Sequence, residues 1–339
     1  MKKFRSILIS ALLISAIIFT CQCTRRPGEK QTVICFAFQD LETEYWVAAH
    51  KAITETLRSR GIMVLERNGH QDANRQLEQV RDAIAQDVDG IIIIPQDGES
   101  ALTIIGEANR AGTPIAVFNR PPANRSRPAL VVVADNEKIA EETVRYMVLA
   151  ASKLERKMKP LILVGDLGDQ NAIARRQGFY NVIGERPEIF EKPIEVPTKW
   201  DPATTLANLE AAMQINRGVD FIFTSSDFLY PQIRAVLEPL GKWKPIGDKD
   251  HVILGGLDGD STAYMLMEQG FVDATGVQDL FFEAHAIMDA LLKAIQDGQK
   301  TPEEWIEDPG FAITQENMQE KREDMWGYRV MAGLAEAKK

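Results

Sequence analysis

The chain has 339 residues, 45 % of them apolar and 26 % charged, a composition suited to one large packed domain or two ordinary ones. Its formal charge is −10, and an acidic chain of this kind lacks the basic face that binding nucleic-acid phosphates requires. Three cysteines, two of them a single residue apart (Cys21 and Cys23), give no disulfide framework.

The first segment reads as an export signal. Lys2, Lys3 and Arg5 precede the apolar run ILISALLISAIIF (7–19), which is too short to span a bilayer comfortably as a mature helix. Without those three cations the remainder is more acidic still. The signal ends in IFTCQC, which resembles the lipobox of bacterial lipoproteins and implies acylation of Cys21. Thr20 departs from the small residues usual at that place. On this reading residues 1–23 are a leader and 24–31 a linker. Cys35 falls inside the first apolar strand, where it serves as a small buried hydrophobe.

From residue 32 onward apolar strands and amphipathic helices alternate. TVICFAF (32–38) precedes a helix over about 45–60 closed by Gly61, and IMVLE (62–66) precedes one with Leu77, Val80 and Ile84 at helical spacing. GIIIIP (90–95) leads into a helix carrying Ile104, Ile105 and Ala108, followed by PIAVF (114–118) and ALVVVAD (129–135). The series then restarts: PLILVG (160–165), a helix over 171–184, PIEV (193–196), a helix over 201–214 and DFIFT (220–224). A helix over 227–239, HVILGG (251–256), a helix over 261–269 and DATGV (273–277) complete it. Near-continuous apolar strands imply a sheet covered on both faces, and repeated βα units imply a parallel, doubly wound one. Two series therefore predict an α/β chain of two similar doubly wound parallel-sheet domains with a cleft between them. We place the first domain at 32–134 plus 279–308 and the second at 135–278 plus 309–339. The chain crosses near Ala134–Asn136, near Gln278–Asp279 and before GFAIT (310–314).

In open parallel sheets ligands sit beyond the carboxyl ends of the strands. The residues there are amides, carboxylates, two arginines and large aromatics, with no histidine or cysteine. That set suits a sugar. Planar carboxylates and amides each engage neighbouring hydroxyls, arginine adds a fork of donors, and aromatic rings cover C–H faces. The four histidines are scattered, and no calcium-type loop, phosphate-binding glycine loop or nucleophile elbow occurs, so neither a metal nor a cofactor is expected.

The chain resembles the type I periplasmic binding proteins for monosaccharides, in particular the ribose- and glucose/galactose-binding members, over about residues 31–331. The resemblance is carried by FQDLETEYW (38–46), IIPQD (93–97), VFNRPP (117–122), GDQNAIARRQGF (168–179), TKWDPATT (198–205), FTSSD (223–227), GGLDGD (255–260) and ATGVQD (274–279). It implies the type I fold, with three crossovers as hinge, and a ligand-binding set of Gln39, Thr43, Tyr45, Trp46, Asn119, Arg120, Asn171, Arg175, Trp200, Ser226, Asp227, Asp258 and Gln278. Ser226 stands where relatives usually carry Asn, and Asn171 where the glucose/galactose type has a carboxylate, so the identity of the sugar stays open. SKLERKMKP (152–160) is basic where that type holds calcium.

Some of these residues have competing structural readings. Asn171 and Asp227 could each be helix N-caps, Ser226 could only shape its turn, and Trp46 lies on the core stripe Trp46, Ala49, Ile53, Leu57. Arg120 has no acidic neighbour in sequence, and Asp201-Pro202 after Trp200 reads as an N-cap with proline at N1. The resemblance further implies a monomeric, non-enzymatic receptor that closes on a monosaccharide or polyol and delivers it to an ABC permease. It would be periplasmic and touch the membrane only through a lipid. A chemosensory receptor, a receptor for a sugar alcohol or furanose-like signal, and a secreted carbohydrate-acting enzyme remain as alternatives. Lactose-repressor-type regulators share the fold in their effector domain, but those chains begin with a helix-turn-helix where this one carries the segment that reads as an export signal.

Overall fold

Strand residues alternate between two cores. In the computed structural model, which describes residues 31–154 and 156–334, Ile34, Phe36 and Phe38 of β1 (Val33–Phe38) pack into one apolar cluster and Cys35 and Ala37 into another. A strand with both faces buried must be apolar at every position, which is why these runs lack polar alternation. Burial pushes the Cys35 thiol up to about 12, so it is inert at neutral pH. The leader, with Cys21, lies outside the described residues.

Helices and strands follow in alternation: α1 (Glu44–Ser59), β2 (Met63–Asn68), α2 (Ala73–Ala85), β3 (Gly90–Ile93), α3 (Gly98–Ala111), β4 (Ile115–Phe118) and β5 (Leu130–Ala134). The second series runs α4 (Asn136–Ser152), β6 (Pro160–Val164), α5 (Gln170–Gly184), β7 (Ile194–Pro197), α6 (Pro202–Ile215) and β8 (Phe221–Thr224). After a 3₁₀ turn, Asp227–Leu229, it continues with α7 (Tyr230–Leu237), β9 (Ile253–Asp258), α8 (Ser261–Glu268) and β10 (Ala274–Val277). The C-terminal part holds α9 (Leu280–Gln296), β11 (Glu304–Asp308), β12 (Phe311–Thr314), α10 (Met318–Lys321) and α11 (Trp326–Met331).

Two six-stranded sheets result. The first has the order β11-β5-β4-β3-β1-β2 and is parallel throughout; the second has the order β12-β10-β9-β8-β6-β7, with only β12 antiparallel. The chain thus passes from one sheet to the other after β5, returns after β10, and crosses again between β11 and β12. Helices α4 and α9 and strand β11, which the alternation does not announce, lie beside these crossovers.

Asp308 joins all three. Its carboxylate accepts the backbone N–H of Asp279 at 2.5 Å and of Gly310 at 3.0 Å, and its carbonyl accepts that of Asp135 at 2.8 Å. A second polar tie fixes the 242–252 loop to the second sheet. His251 sets Nδ1 against the Lys244 carbonyl at 2.7 Å and Nε2 against Asp273 Oδ2 at 3.0 Å. Both partners only accept, so the ring donates from both nitrogens and carries a charge.

Candidate functional site

The carboxyl ends of both sheets face a common cavity of about 140 Å³, close to the roughly 150 Å³ that elsewhere admits a six-membered ring. Every residue of the predicted set except Gln39 and Asp227 lines it.

Its floor is a closed ring of hydrogen bonds whose direction is fixed by its two charged members. Arg175 can only donate, and gives Nε to Asn136 Oδ1 at 2.6 Å. Asn136 Nδ2 therefore donates to Asn171 Oδ1, Asn171 Nδ2 to Asn119 Oδ1 (both 3.1 Å), and Asn119 Nδ2 to Gln278 Oε1 at 2.9 Å. Gln278 Nε2 reaches Asp258 Oδ1 at 2.9 Å, and Arg175 Nη1 meets the same oxygen at 2.9 Å, which closes the ring. No amide in it can be turned over without setting two donors or two acceptors face to face.

Two tryptophans flank this floor. Arg120 lies over the Trp46 ring at 5.2 Å and Arg175 over Trp200 at 6.0 Å. The Trp200 indole lies across the end of β6: a Cβ on Gly165 would come within 2.1 Å of its Cζ2. Its Nε1 donates to Asp169 Oδ2 at 3.2 Å. Both arginines are paired with acids, Arg175 with Asp258 at 2.9 Å and Arg120 Nε with Asp169 Oδ2 at 3.1 Å. The second contact is an ion pair only, since the Nε–H is not aligned for a hydrogen bond. Backbone strain collects here too. Asn119, Lys199, Trp200 and Asp258 have φ of 62°, 54°, 56° and 147°. Asparagine tolerates the left-handed region, but for tryptophan it costs on the order of 1–2 kcal/mol.

Several sequence expectations need correcting. Gln39 is buried off the cavity; its carbonyl accepts the Gln71 N–H at 2.8 Å, and the lining begins one residue later. Asp227 turns away from the ligand side to accept from Gly259 N at 2.7 Å and Thr275 Oγ1 at 2.6 Å, bracing β9 and β10. It is not an N-cap either, since Ser226 holds the cap position, and the Ser226 hydroxyl is spent on Asp258 Oδ2. Asn171 is not the N-cap of α5; Asp169 is, accepting the Asn171 N–H at 2.9 Å. Arg120 does have an acidic neighbour, Asp169, from the other sheet. Thr43 lines the cavity while capping α1. The predicted binding set leaves out Asp169 and Asn136, although both follow strand ends, and Glu283. The available signals were an Asp at the start of the helix that carries Arg175 and a lone acid in the apolar stretch LFFEAHAIM.

The two halves touch around the cavity. Gly98 N donates to Gly168 O at 3.1 Å, Ser261 Oγ to Glu44 Oε2 at 2.7 Å, and Tyr45 meets Trp326 edge-on at 5.6 Å. Buried acids concentrate beneath. Burial raises the pKa of Asp227 (with the Asp258 charge adding to it), of Asp258 (against the pull of Arg175) and of Asp260. It raises Glu283 and Asp308 likewise. For His251 burial opposes the charge, but Asp273 and the Lys244 carbonyl outweigh it and the pKa rises. Where the folded pKa exceeds the unfolded one, stabilisation is full below the unfolded value and is lost as pH rises through the folded one. The window therefore opens above 3.8 for the aspartates, 4.5 for Glu283 and 6.5 for His251. The unfolding midpoint is expected to fall from about pH 5 to about pH 8. His251→Gln should flatten the upper part of that slope; a midpoint that rises over this range would refute the assignment.

The family model described as a periplasmic binding protein domain matches residues 34–300. The chain belongs to that family. Among curated relatives, this periplasmic binding protein is 22 % identical over 280 residues to the ribose import binding protein of Bacillus subtilis (strain 168), covering 80 % of this chain and 87 % of the relative. It is 27 % identical to the D-xylose-binding periplasmic protein of Haemophilus influenzae, over 58 % of this chain and 59 % of that one. Among solved structures, the solute-binding protein of Bacillus halodurans C-125 with bound myo-inositol superposes with a TM-score of 0.76 at 23 % identity, covering 88 % of this chain and 100 % of the other. The arabinose transporter component of Shewanella sp. ANA-3, bound to L-arabinofuranose, gives 0.75 at 21 %, over 91 % and 99 %. These likenesses match the two-sheet fold of type I periplasmic binding proteins.

Proposed function

We propose that this periplasmic binding protein is an exported receptor that captures a neutral monosaccharide, hexose or pentose, and delivers it to an ABC permease without chemical change. The observation that carries the reading is charge pairing inside the cavity. Both arginines there are matched by Asp169 and Asp258, and the other charged lining residues are mainly acidic (Asp40, Glu42, Glu44, Asp166, Asp201 and Asp260 against Lys199), so the floor offers paired donors and acceptors and no free guanidinium for an anionic ligand to answer. Trp46 and Trp200 supply faces for ring C–H groups. Relatives named for ribose and xylose, and structures holding an inositol or a furanose, support this class and keep a cyclic polyol or furanose as the second reading.

Opening and closing would turn about residues 134–136, 278–279 and 308–310, with 32–134 plus 279–308 moving against 135–278 plus 309–339. The same proposal has the receptor act as a monomer tethered through acylated Cys21, which the intact mass of protein recovered from membranes would reveal. The binding claim is tested by thermal shift and calorimetry against hexoses, pentoses and polyols. At least one should raise the melting temperature saturably, with affinity near micromolar or tighter, about 8 kcal/mol. Silence from all of them, together with a response to an amino acid, peptide or nucleoside, would sink the proposal.

A further inference from the structure

Glu283 stands behind the hydrogen-bonded ring and does not line the cavity. It occupies the buried stripe of α9 with Leu280, Ala284, Ile287 and Leu291 and is wholly shielded from solvent. Its Oε2 is 3.0 Å from Asn119 Nδ2 and 3.1 Å from Tyr45 Oη, while Oε1 has no hydrogen-bond partner among the described residues. A carboxyl in that position is destabilising, and an apolar residue would suit the stripe better. Its presence therefore asks for a role outside folding.

Hydrogen accounting supplies one. The Asn119 amide nitrogen has two hydrogens and three acceptors around it: Gln278 Oε1 and Tyr45 Oη at 2.9 Å, and Glu283 Oε2. The Tyr45 hydroxyl proton is directed to Glu283. With Glu283 in place, only acceptors face that side of Asn119, so the nitrogen must point inward. Its carbonyl oxygen then lies on the Asn171 side, at the cavity. Without Glu283 the tyrosine proton is released and can serve a flipped Asn119 carbonyl, which leaves the orientation of Asn119 to its two ring neighbours, Asn171 and Gln278, alone.

We propose that Glu283 is a positioning residue of the binding site, holding Asn119 so that it presents an acceptor oxygen and selects a ligand hydroxyl able to donate to it. The inference rests on the sugar or polyol reading above. Wild type, Glu283→Gln and Glu283→Leu are titrated with D-ribose, L-arabinose and myo-inositol by calorimetry, and their unfolding midpoints are compared. Glutamine retains an acceptor and is expected to bind within about threefold of wild type, whereas leucine loses at least about tenfold. The leucine variant should nonetheless melt no lower than wild type, because it relieves a buried, half-unpartnered carboxyl. Unchanged binding in Glu283→Leu, or parallel loss of stability and binding in both variants, would overturn the proposal. A second measurement needs no ligand: the Asn119 side-chain amide, assigned through Asn119→Ala in a ¹⁵N-resolved NMR spectrum, should shift or broaden in Glu283→Leu. An unchanged signal would again overturn it. If none of the three probes binds wild type, the wider panel of hexoses, pentoses and polyols decides the sugar reading, while the amide signal still decides the role of Glu283.

Discussion

Replacing Arg175 with alanine is expected both to remove monosaccharide binding and to lower folding stability by about 3–5 kcal/mol. The binding loss follows from its place in the cavity, where the guanidinium is oriented by Asn136, the Ser225 carbonyl and Asp258. The stability loss follows from what remains. Asp258 would stay buried without its cation, close to Asp227, whose charge it already disfavours. A cost of that size is a large part of the roughly 5–15 kcal/mol that holds a domain folded. The pairing can be separated from recognition by adding Asp258→Asn, which removes the stranded charge. The double variant should regain more than half of the lost stability in urea unfolding and still not bind. An alanine variant with wild-type affinity would show that Arg175 does not touch the ligand. One with weak binding but wild-type stability would show that the Asp258 pair is dispensable.

The second large effect comes from a residue with no polar group. Gly165→Ala would place a methyl 2.1–2.4 Å from three atoms of the Trp200 indole. The indole cannot simply slide, because its backbone is pinned by Thr198 and its Nε1 by Asp169. It must swing out of the cavity wall. Stacking and burial of one aromatic are together worth about 1.5–3 kcal/mol, so affinity is expected to fall about ten- to hundredfold. Gly165 does not have the positive φ that demands glycine, so no backbone strain is added; the fold should hold, and the stability cost is that of displacing the ring, about 1–3 kcal/mol. Tryptophan fluorescence would report the displaced ring. Undiminished affinity would mean that Trp200 is a bystander.

How far the sequence carried can be judged from neighbours in the site. Trp200 and Gln278 stand just past strand ends and Arg175 in the second turn of the helix that follows β6, and the geometry of parallel sheets directs strand ends and the helix starts after them to the cleft whatever the ligand, so their placement was legible. Asp227 follows a strand equally well, yet it braces Gly259 and Thr275. An aspartate turned toward a ligand and one turned toward the next strand look alike in one dimension. Asp169 and Asn136 follow strand ends too but were left out of the set, because their partners, Arg120 and Arg175, lie 49 and 39 residues away and meet them only after folding. Helix α9 escaped because it follows a crossover, where the βα rhythm gives no cue to the sheet it will cover. Its lone acid, Glu283, acquires meaning only beside Asn119 and Tyr45.

The knot at Asp308 has a mechanical consequence. Three connecting segments tied to one buried residue, two through its carboxylate and one through its carbonyl, have little room to flex independently, so the closure proposed above reduces to rotation about a narrow axis through that residue. Under such leverage, displacement grows with distance from the pivot. A pair of fluorophores set on the exposed far ends of the two halves, at Met63 of β2 and Ile215 of α6, would read occupancy of the cavity as a change in separation. Probes set beside Asp308 would see almost none of it, which makes this chain a natural frame for an optical sugar sensor.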